Sequence, residues 1–268
     1  MTDDELLRHF HTQIRLGGHE AGTGPGSVHD TDGPVRRRYP VTPGASYCMV
    51  EAPEGLGDDP DRWIARTVAF FTERGERVEW KTFSYDEPAD IGERLVRHGF
   101  EREDQEALLI GEAADLVHDV ELPPGVRLRE VTAVDRHLDY DRIAALMRST
   151  YGNDDDGFTE ELRSERAAAP DLLEIVVAEE TADGPVLCAG WIRYTQGTDF
   201  ASMWGGSTLA EWRRRGLYRS TVVWRARRAV ARGYRFMRLD TSPDSRPILT
   251  NLGLRHLADT TPYVLDPR

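Results

Sequence analysis

The sequence predicts a mixed α/β protein, an α+β arrangement on a mixed sheet, built from two similar halves. Three observations carry that expectation. Stretches with apolar residues every third or fourth position alternate with short stretches of period two, the patterns of helices and strands. A polar segment ends in Pro123-Pro124-Gly125 and gives way to the alternating "VRLREV", where structure begins afresh. Residues 77–110 and 235–265 also repeat one order of signals: strand, proline-containing polar turn, short helix, glycine followed by a hydrophobe, then strand. These place a boundary near residue 120, with domains at 1–120 and 121–268.

In the first half the periodicity predicts a helix at 3–15, strands near 35–40 and 46–52, and a helix at 61–74. Residues 17–34, with "GGHEAGTGPGSVHDTDGP", are glycine-rich and predicted as loop. In "RLVRHGF" the glycine Gly99 fits the position after a helix end, where a left-handed backbone is cheapest, as does Gly253 in "TNLGL". The second half is expected to run strand 126–131, helix 136–150, helix 158–168, and strands 172–179, 185–194 and 199–209. A helix at 217–232, a strand at 234–241, a helix at 245–252 and two short strands complete it. That order predicts an antiparallel front with a helical crossover near the middle.

Composition limits the partners. Hydrophobic residues make up 39% of the chain and aromatics 9%, enough for a real core. A formal net charge of -13 argues against nucleic acid or an anionic membrane as partner. Basic clusters therefore need local explanations; Lys81 is the only lysine and the other cations are arginines. Cys48 and Cys188 lie in apolar runs, which suits buried thiols rather than a disulfide framework or a zinc site. His9, His11 and His19 have no metal-site spacing, so no metal is expected. The N-terminus "MTDDELLRHF" lacks an apolar signal core, and the expectation is a cytoplasmic protein, monomer or homodimer, with no membrane segment.

The most informative stretch is "TLAEWRRRGLYRSTVVWRARRAVARG", residues 208–233. Val222, Val223, Ala226, Ala229 and Val230 recur at helical spacing, with Arg225, Arg227, Arg228 and Arg232 predicted on the opposite, solvated face. Gly233 supplies the stop. Before the helix, "DFASMWGGSTL" predicts a strand interrupted at Gly205-Gly206. Residues 213–218 thus join a strand to the first helical turn, where backbone N–H groups lack partners and the helix dipole is positive. A glycine there admits an anion and arginines add charge, so a diphosphate is the expected guest. A solvated basic turn is the plainer alternative. The stretch has neither a Walker A nor a dinucleotide-binding pattern.

These residues resemble the pyrophosphate-binding motif of the GNAT N-acetyltransferase superfamily, Gln/Arg-x-x-Gly-x-Gly/Ala. Arg213 fills the first slot and Gly216 the fourth; Tyr218 stands in the last, a departure that is expected to crowd or contact the acyl arm. The resemblance covers roughly residues 126–268 and implies acetyl-CoA as cosubstrate. By position, Gly206, Ser207 and Thr208 would pair with the pantetheine arm, and backbone from Arg214 through Arg215, Gly216 and Leu217 to Tyr218 and Arg219 would cradle the diphosphate. In "SPDSRPILTNLGL", Ser242 and Ser245 occupy slots where the family often has Asn and Ala. Leu249 stands where the family's acid tyrosine is usual.

The first half has "APEGLGDDPDRW" in the corresponding place, and Asp58, Asp59 and Asp61 would repel a diphosphate. It is therefore expected to be a degenerate domain of the same kind, with an unrelated α/β cap as the alternative. Acetyl transfer to an amine needs a base and a donor for the thioester oxygen. Asp240 and Asp199 are the candidate bases, and Tyr218 and Tyr263 the candidate acids; Asp240 and Tyr218 are preferred. The acidic run "YGNDDDGFTEEL" could attract a cationic amine or simply enter a helix behind an Asp156 or Thr159 cap. The expected function is direct N-acetylation of a small-molecule or peptide amine; the alternative is a non-catalytic acyl-CoA-binding sensor.

Overall fold

The computed structural model describes residues 1–18, 26–44, 46–132, 137–152 and 158–267. By contact density the chain forms two compact units. Unit 1 comprises Met1–Leu109, Asp240–Pro247 and His256–Arg268; unit 2 comprises Ile110–Leu239 and Ile248–Arg255. This differs from a single cut near residue 120. The reason is a long-range pairing: the last strand of the chain hydrogen-bonds to a strand of the first half, which no local signal in "RHLADTTPYVL" announces.

Unit 1 opens with α1 (Asp3–Phe10), which continues as a π-helical turn to Arg15. Thr2 and Glu5 form a capping box at its start, each satisfying the other's backbone N–H. The strands are β1 (Ser27–Asp32), β2 (Val35–Pro40), β3 (Cys48–Glu51) and β4 (Val78–Phe83), with α2 (Pro60–Arg74) between the last two. After β4 come α3 (Ile91–Arg97), β5 (Glu101–Arg102) and β6 (Glu106–Glu112), whose last three residues belong to unit 2. The final strand β12 (Arg255–Leu265) pairs antiparallel with β4, Thr260 opposite Phe83 through Leu265 opposite Val78, and also with β5. β1 and β2 form an antiparallel hairpin around Gly33, within the stretch expected to be loop. β2 pairs antiparallel with β3, and β3 parallel with β4. Ile64 and Phe71 of α2 pack on Val50, Val78 and Trp80, all buried.

Unit 2 carries β7 (Arg127–Val131), α4 (His137–Tyr151), α5 (Phe158–Ala168), β8 (Leu173–Glu179), β9 (Cys188–Tyr194) and β10 (Phe200–Thr208). Then follow α6 (Leu217–Ala231), β11 (Phe236–Thr241) and α7 (Arg246–Asn251). β7 to β10 are antiparallel neighbours in chain order, and β10 runs parallel to β11 across the α6 crossover. Each unit thus contains an antiparallel run ending in one parallel pair joined by a helix. The parallel pairing is three residues long in both: Cys48–Val50 with Val78–Trp80, and Phe200–Ser202 with Phe236–Arg238. The two short terminal strands expected from sequence are one continuous strand, β12.

A charge network ties β7, β8 and α4. Glu179 accepts from Arg127 at 3.0 Å, Arg129 at 2.8 Å and Arg142 at 2.9 Å, while Asp139 accepts from Arg129 and Arg142. Burial alone would raise the Glu179 pKa; the hydrogen bonds from Arg129 and Arg142 outweigh it and hold the carboxyl down at about 2.

Candidate functional site

The site is built where β10 meets α6. Leu217 anchors the helix start, buried beside Val126, Ala178, Leu187 and Cys188. The residue before it, Gly216, has φ +82° and no side chain caps the helix. In unit 1, Thr2 caps α1 and Asp59 caps α2, whereas α3, like α6, has no side-chain cap. The first turn of α6 thus has no side-chain cap from the residue before it, and the helix dipole favours an anion there. Arg213, Arg214, Arg215 and Arg219 around this start are exposed. Arg213 donates to the Thr208 carbonyl at 3.3 Å, Arg215 stacks over Trp212 at 4.7 Å, and Arg219 donates to His118 at 2.9 Å. Arg214 has φ +61° and makes no ion pair or hydrogen bond among the described residues. Its left-handed backbone costs on the order of 1 kcal/mol in a non-glycine residue, local strain of the kind found at ligand sites.

Upstream, β10 carries a bulge. Trp204 pairs with Trp191 and Ser207 with Ala189, so Gly205 and Gly206 together oppose Gly190. Each of these glycines is required by a neighbour. A Cβ on Gly205, whose φ is +64°, would lie 1.8 Å from the Trp191 ring. On Gly206 it would lie 2.3 Å from the Tyr218 ring, and on Gly190 it would lie 3.0 Å from Cζ of Arg225. The Tyr218 ring rests on the bare Cα of Gly206, a small-for-large exchange across the contact. Beyond Ser202–Arg238 the parallel partner β11 no longer pairs with β10, so among the described residues Met203 to Thr208 have no β11 partner.

Arg225 corrects the helix reading. It was expected on the solvated face, yet it is 1% exposed. Its Nε donates to the Thr221 carbonyl at 2.9 Å and its Nη1 to the carbonyls of Trp204 at 3.1 Å and Trp191 at 3.4 Å. No carboxylate pairs with it among the described residues, and burial pushes its pKa down. Val230, assigned to the apolar face, is 43% exposed. Arg228 and Arg232 pair with Glu174, and Arg227 with Asp119, as solvent-edge arginines do.

The other expected residues divide as follows. Thr208 donates to Cys188 Sγ at 3.2 Å, and both thiols are buried. Ser207, buried, shares its hydroxyl with Met147 and with the hydroxyl of Tyr151, each at 3.2 Å. Tyr151 is the functional candidate that sequence reasoning missed; it is 57% exposed and reaches β10 from the end of α4, a tertiary contact without a local signal. Leu249 is fully buried in α7. Asp199 lies directly before β10, six residues before Gly205 and therefore roughly 20 Å away along a strand. Its carbonyl accepts the backbone N–H groups of Arg235 and Phe236.

Asp240, Ser242, Ser245 and Tyr263 fall in unit 1. Asp240 forms an ion pair with Lys81 and accepts from Thr260 at 3.3 Å, so its carboxylate is already engaged. Near it Glu106 is pushed up to about 6 by burial, with the Asp240 charge adding to the effect. Ser242 gives its carbonyl to the turn that starts α7, accepting from Ser245 and Arg246. The Tyr263 hydroxyl packs on Gly92.

Unit 1 has its own parallel pair, which ends at Val50–Trp80. Glu51 follows directly, and its carboxylate accepts from the fully buried Arg15 at 3.2 Å. Arg15 also donates to Asp86 at 2.6 Å and stacks over Phe83 at 3.9 Å. Asp59 caps α2, and Asp61 pairs with Arg94 and His98. His19 and residues 153–157 of the acidic run, Asp156 included, lie outside the described residues. Among the described residues no cluster of His, Cys, Asp and Glu is arranged to hold a metal ion, and no helix is long and apolar enough to cross a membrane.

No family model matches the chain, and no curated protein matches its sequence. Solved structures do match its fold. A GCN5-related N-acetyltransferase from Kribbella flavida superposes with a TM-score of 0.70 over 96% of this chain and 94% of its own, at 18% identity. A tandem GNAT protein from the clavulanic acid biosynthesis pathway gives a TM-score of 0.63 over 100% of this chain and 96% of its own, at 12% identity. A GCN5-related N-acetyltransferase from Sphaerobacter thermophilus gives 0.61 over 99% and 85%, at 14% identity. With both units closing on a helix-joined parallel pair, and an uncapped, glycine-led helix start in the second, the chain has the GNAT acetyltransferase fold.

Proposed function

We propose that the chain is an acetyl-CoA-dependent N-acetyltransferase whose unit 2 takes the acyl-CoA and whose acceptor is a small-molecule or peptide amine. One observation carries this reading. Within unit 2 an uncapped, arginine-flanked helix start follows directly on a glycine bulge, at a point where the strand has left its parallel partner. Backbone N–H groups from Arg215 to Arg219 suit a diphosphate, and the strand at Gly206–Thr208, beyond its β11 pairing, suits the amide-bearing pantetheine arm. Unit 1 differs: aspartates lead its helix, and a buried Arg15–Glu51 ion pair follows its parallel pair, which supports a structural role.

In direct transfer the amine nitrogen attacks the thioester carbonyl carbon, the C–S bond breaks, the amine loses a proton and the thiolate gains one. With Leu249 buried and the Tyr218 ring seated on Gly206, Tyr151 is the tyrosine whose hydroxyl reaches this strand, through Ser207. It is the better candidate to protonate the thiolate.

The test is thiol release from acetyl-CoA with a panel of amines: a polyamine, an aminoglycoside and peptides with free N-termini. At least one amine is expected to stimulate release by the native chain. Gly216→Asp is expected to show none, and Tyr151→Phe to slow release by about tenfold or more. If acetyl-CoA binds but no amine stimulates release, the reading gives way to a non-catalytic acyl-CoA sensor.

A further inference from the structure

The buried guanidinium of Arg225 is out of keeping with a merely structural helix residue. A charge in a protein core without a carboxylate partner is costly, and an apolar side chain of similar length would fill the volume more cheaply. Room is nevertheless made for it, because Gly190 alone leaves space for its Cζ. Its Nη1 spans two strands at the point where the bulge begins, holding Trp191 O on β9 and Trp204 O on β10.

The consequence follows from peptide geometry. The Trp204–Gly205 peptide is trans and planar, so its C=O and N–H point in opposite directions. Arg225 sits on α6 and holds the C=O, so the Gly205 N–H is directed away from α6. Trp191 packs against Gly205 and Tyr218 against Gly206, so the flanking backbone is held as well. A thioester carbonyl oxygen that becomes negative during transfer needs such a fixed donor, most effective when it does not have to reorient.

We infer that Arg225 is the positioning residue of the acetyl-transfer step: by fixing the Trp204 carbonyl it presents the Gly205 N–H as the donor to the thioester oxygen. This deepens, and rests on, the acetyltransferase reading. As the amine nitrogen adds to the carbonyl carbon, the C=O pair moves onto oxygen; its return expels the thiolate, which takes up a proton. Arg225 neither gives nor takes a proton in this sequence. It keeps the donor still and leaves the diphosphate site, nine residues earlier in the chain, untouched.

The experiment compares the full-length native chain with Arg225→Met, Arg225→Lys and Gly190→Ala. Acetyl-CoA affinity is read by calorimetry, and kcat by thiol release with a responsive amine. Arg225→Met is expected to lower kcat by about a hundredfold or more, the scale of losing one such donor. Its acetyl-CoA Kd is expected to stay within about threefold of native, the signature of an interaction used only in the transition state. Arg225→Lys, which keeps the charge without the two-carbonyl grip, is expected to recover kcat only in part. Gly190→Ala, which presses on the guanidinium, is expected to reduce kcat without changing affinity. A second readout is independent of turnover: in glycine-15N-labelled protein, acetyl-CoA is expected to shift the Gly205 amide more than CoA does, and Arg225→Lys to erase the difference. Native kcat in Arg225→Met overturns the inference while acetyltransferase activity stands. If Arg225→Met does not fold, native kcat in both Arg225→Lys and Gly190→Ala overturns it equally. A native chain that binds acetyl-CoA but acetylates no amine defeats the underlying reading first.

Discussion

Gly205→Ala is expected to destabilise the chain by about 3 kcal/mol and to abolish acetyl transfer. Two costs combine. A left-handed φ of +64° charges any side chain roughly 1 kcal/mol, and overpacking a filled site adds about 1–3 kcal/mol. The overpacking is certain to be felt, because the new Cβ would lie 1.8 Å from Trp191, a side chain itself 1% exposed and wedged against Phe158. Either the indole or the bulge must move, and moving the bulge displaces the strand edge meant for the acyl arm. Gly197→Ala is the control: its φ is +75°, and a Cβ there meets nothing within 4 Å, so it pays only the backbone cost. Urea unfolding of the two variants separates the terms. Equal destabilisation of both would show that the Trp191–Gly205 contact does not fix the bulge.

Glu179→Gln is expected to cost about 3 kcal/mol at neutral pH. The carboxylate is fully buried, and removing its charge leaves Arg142, 8% exposed, without one of its two acidic partners. Breaking a buried pair from one side costs about 3–5 kcal/mol. The pH dependence gives an independent check. The folded-state pKa, about 2, lies below the ordinary value of 4.5, so ionisation stabilises the fold above pH 4.5, and that contribution is lost as pH falls toward 2. The shift corresponds to about 3 kcal/mol at 1.36 kcal/mol per pKa unit. The gap between native chain and variant, read from urea midpoints, is therefore expected to be constant from pH 6 to 8 and to shrink steadily below pH 4.5. A gap that grows on acidification would contradict the network's sign.

What was legible in the sequence was local. Helix α6 and its stop at Gly233, with φ +84°, follow from spacing and a glycine. The ends at Gly99 and Gly253, with φ +93° and +106°, follow from the same rule. Pro123-Pro124-Gly125 does turn, with Val126 donating back to Pro123 at 3.0 Å. The helix-start geometry at Gly216 was likewise readable, since backbone freedom is written in one residue. Three things were not. β1 is the polar string "SVHDTD", whose pairing with β2 supplies what its composition lacks. β12 belongs with β4, more than 170 residues away, because hydrogen bonding across a sheet leaves no trace in the strand's own pattern. Arginine in an amphipathic helix is normally a solvated residue, and nothing in "VVWRARRAV" separates the buried Arg225 from its exposed neighbours. What separates it is Gly190, 35 positions earlier, which makes the space.

The central claim is that the start of α6 binds the diphosphate of an acyl-CoA, and calorimetric titration of the full chain with acetyl-CoA tests it most directly. A Cβ at Gly216 would meet only the Glu121 carbonyl at 3.8 Å, so substitution there is limited by backbone and charge rather than by space. Gly216→Ala is therefore expected to weaken binding by about tenfold, through a left-handed cost of roughly 1–2 kcal/mol. Gly216→Asp, which adds a carboxylate beside the diphosphate, is expected to weaken it by about a hundredfold or more. Saturable one-to-one binding to the native chain, graded through these two variants, is the predicted result. No heat of binding with the native chain, or equal affinity in native and Gly216→Asp, would contradict the account.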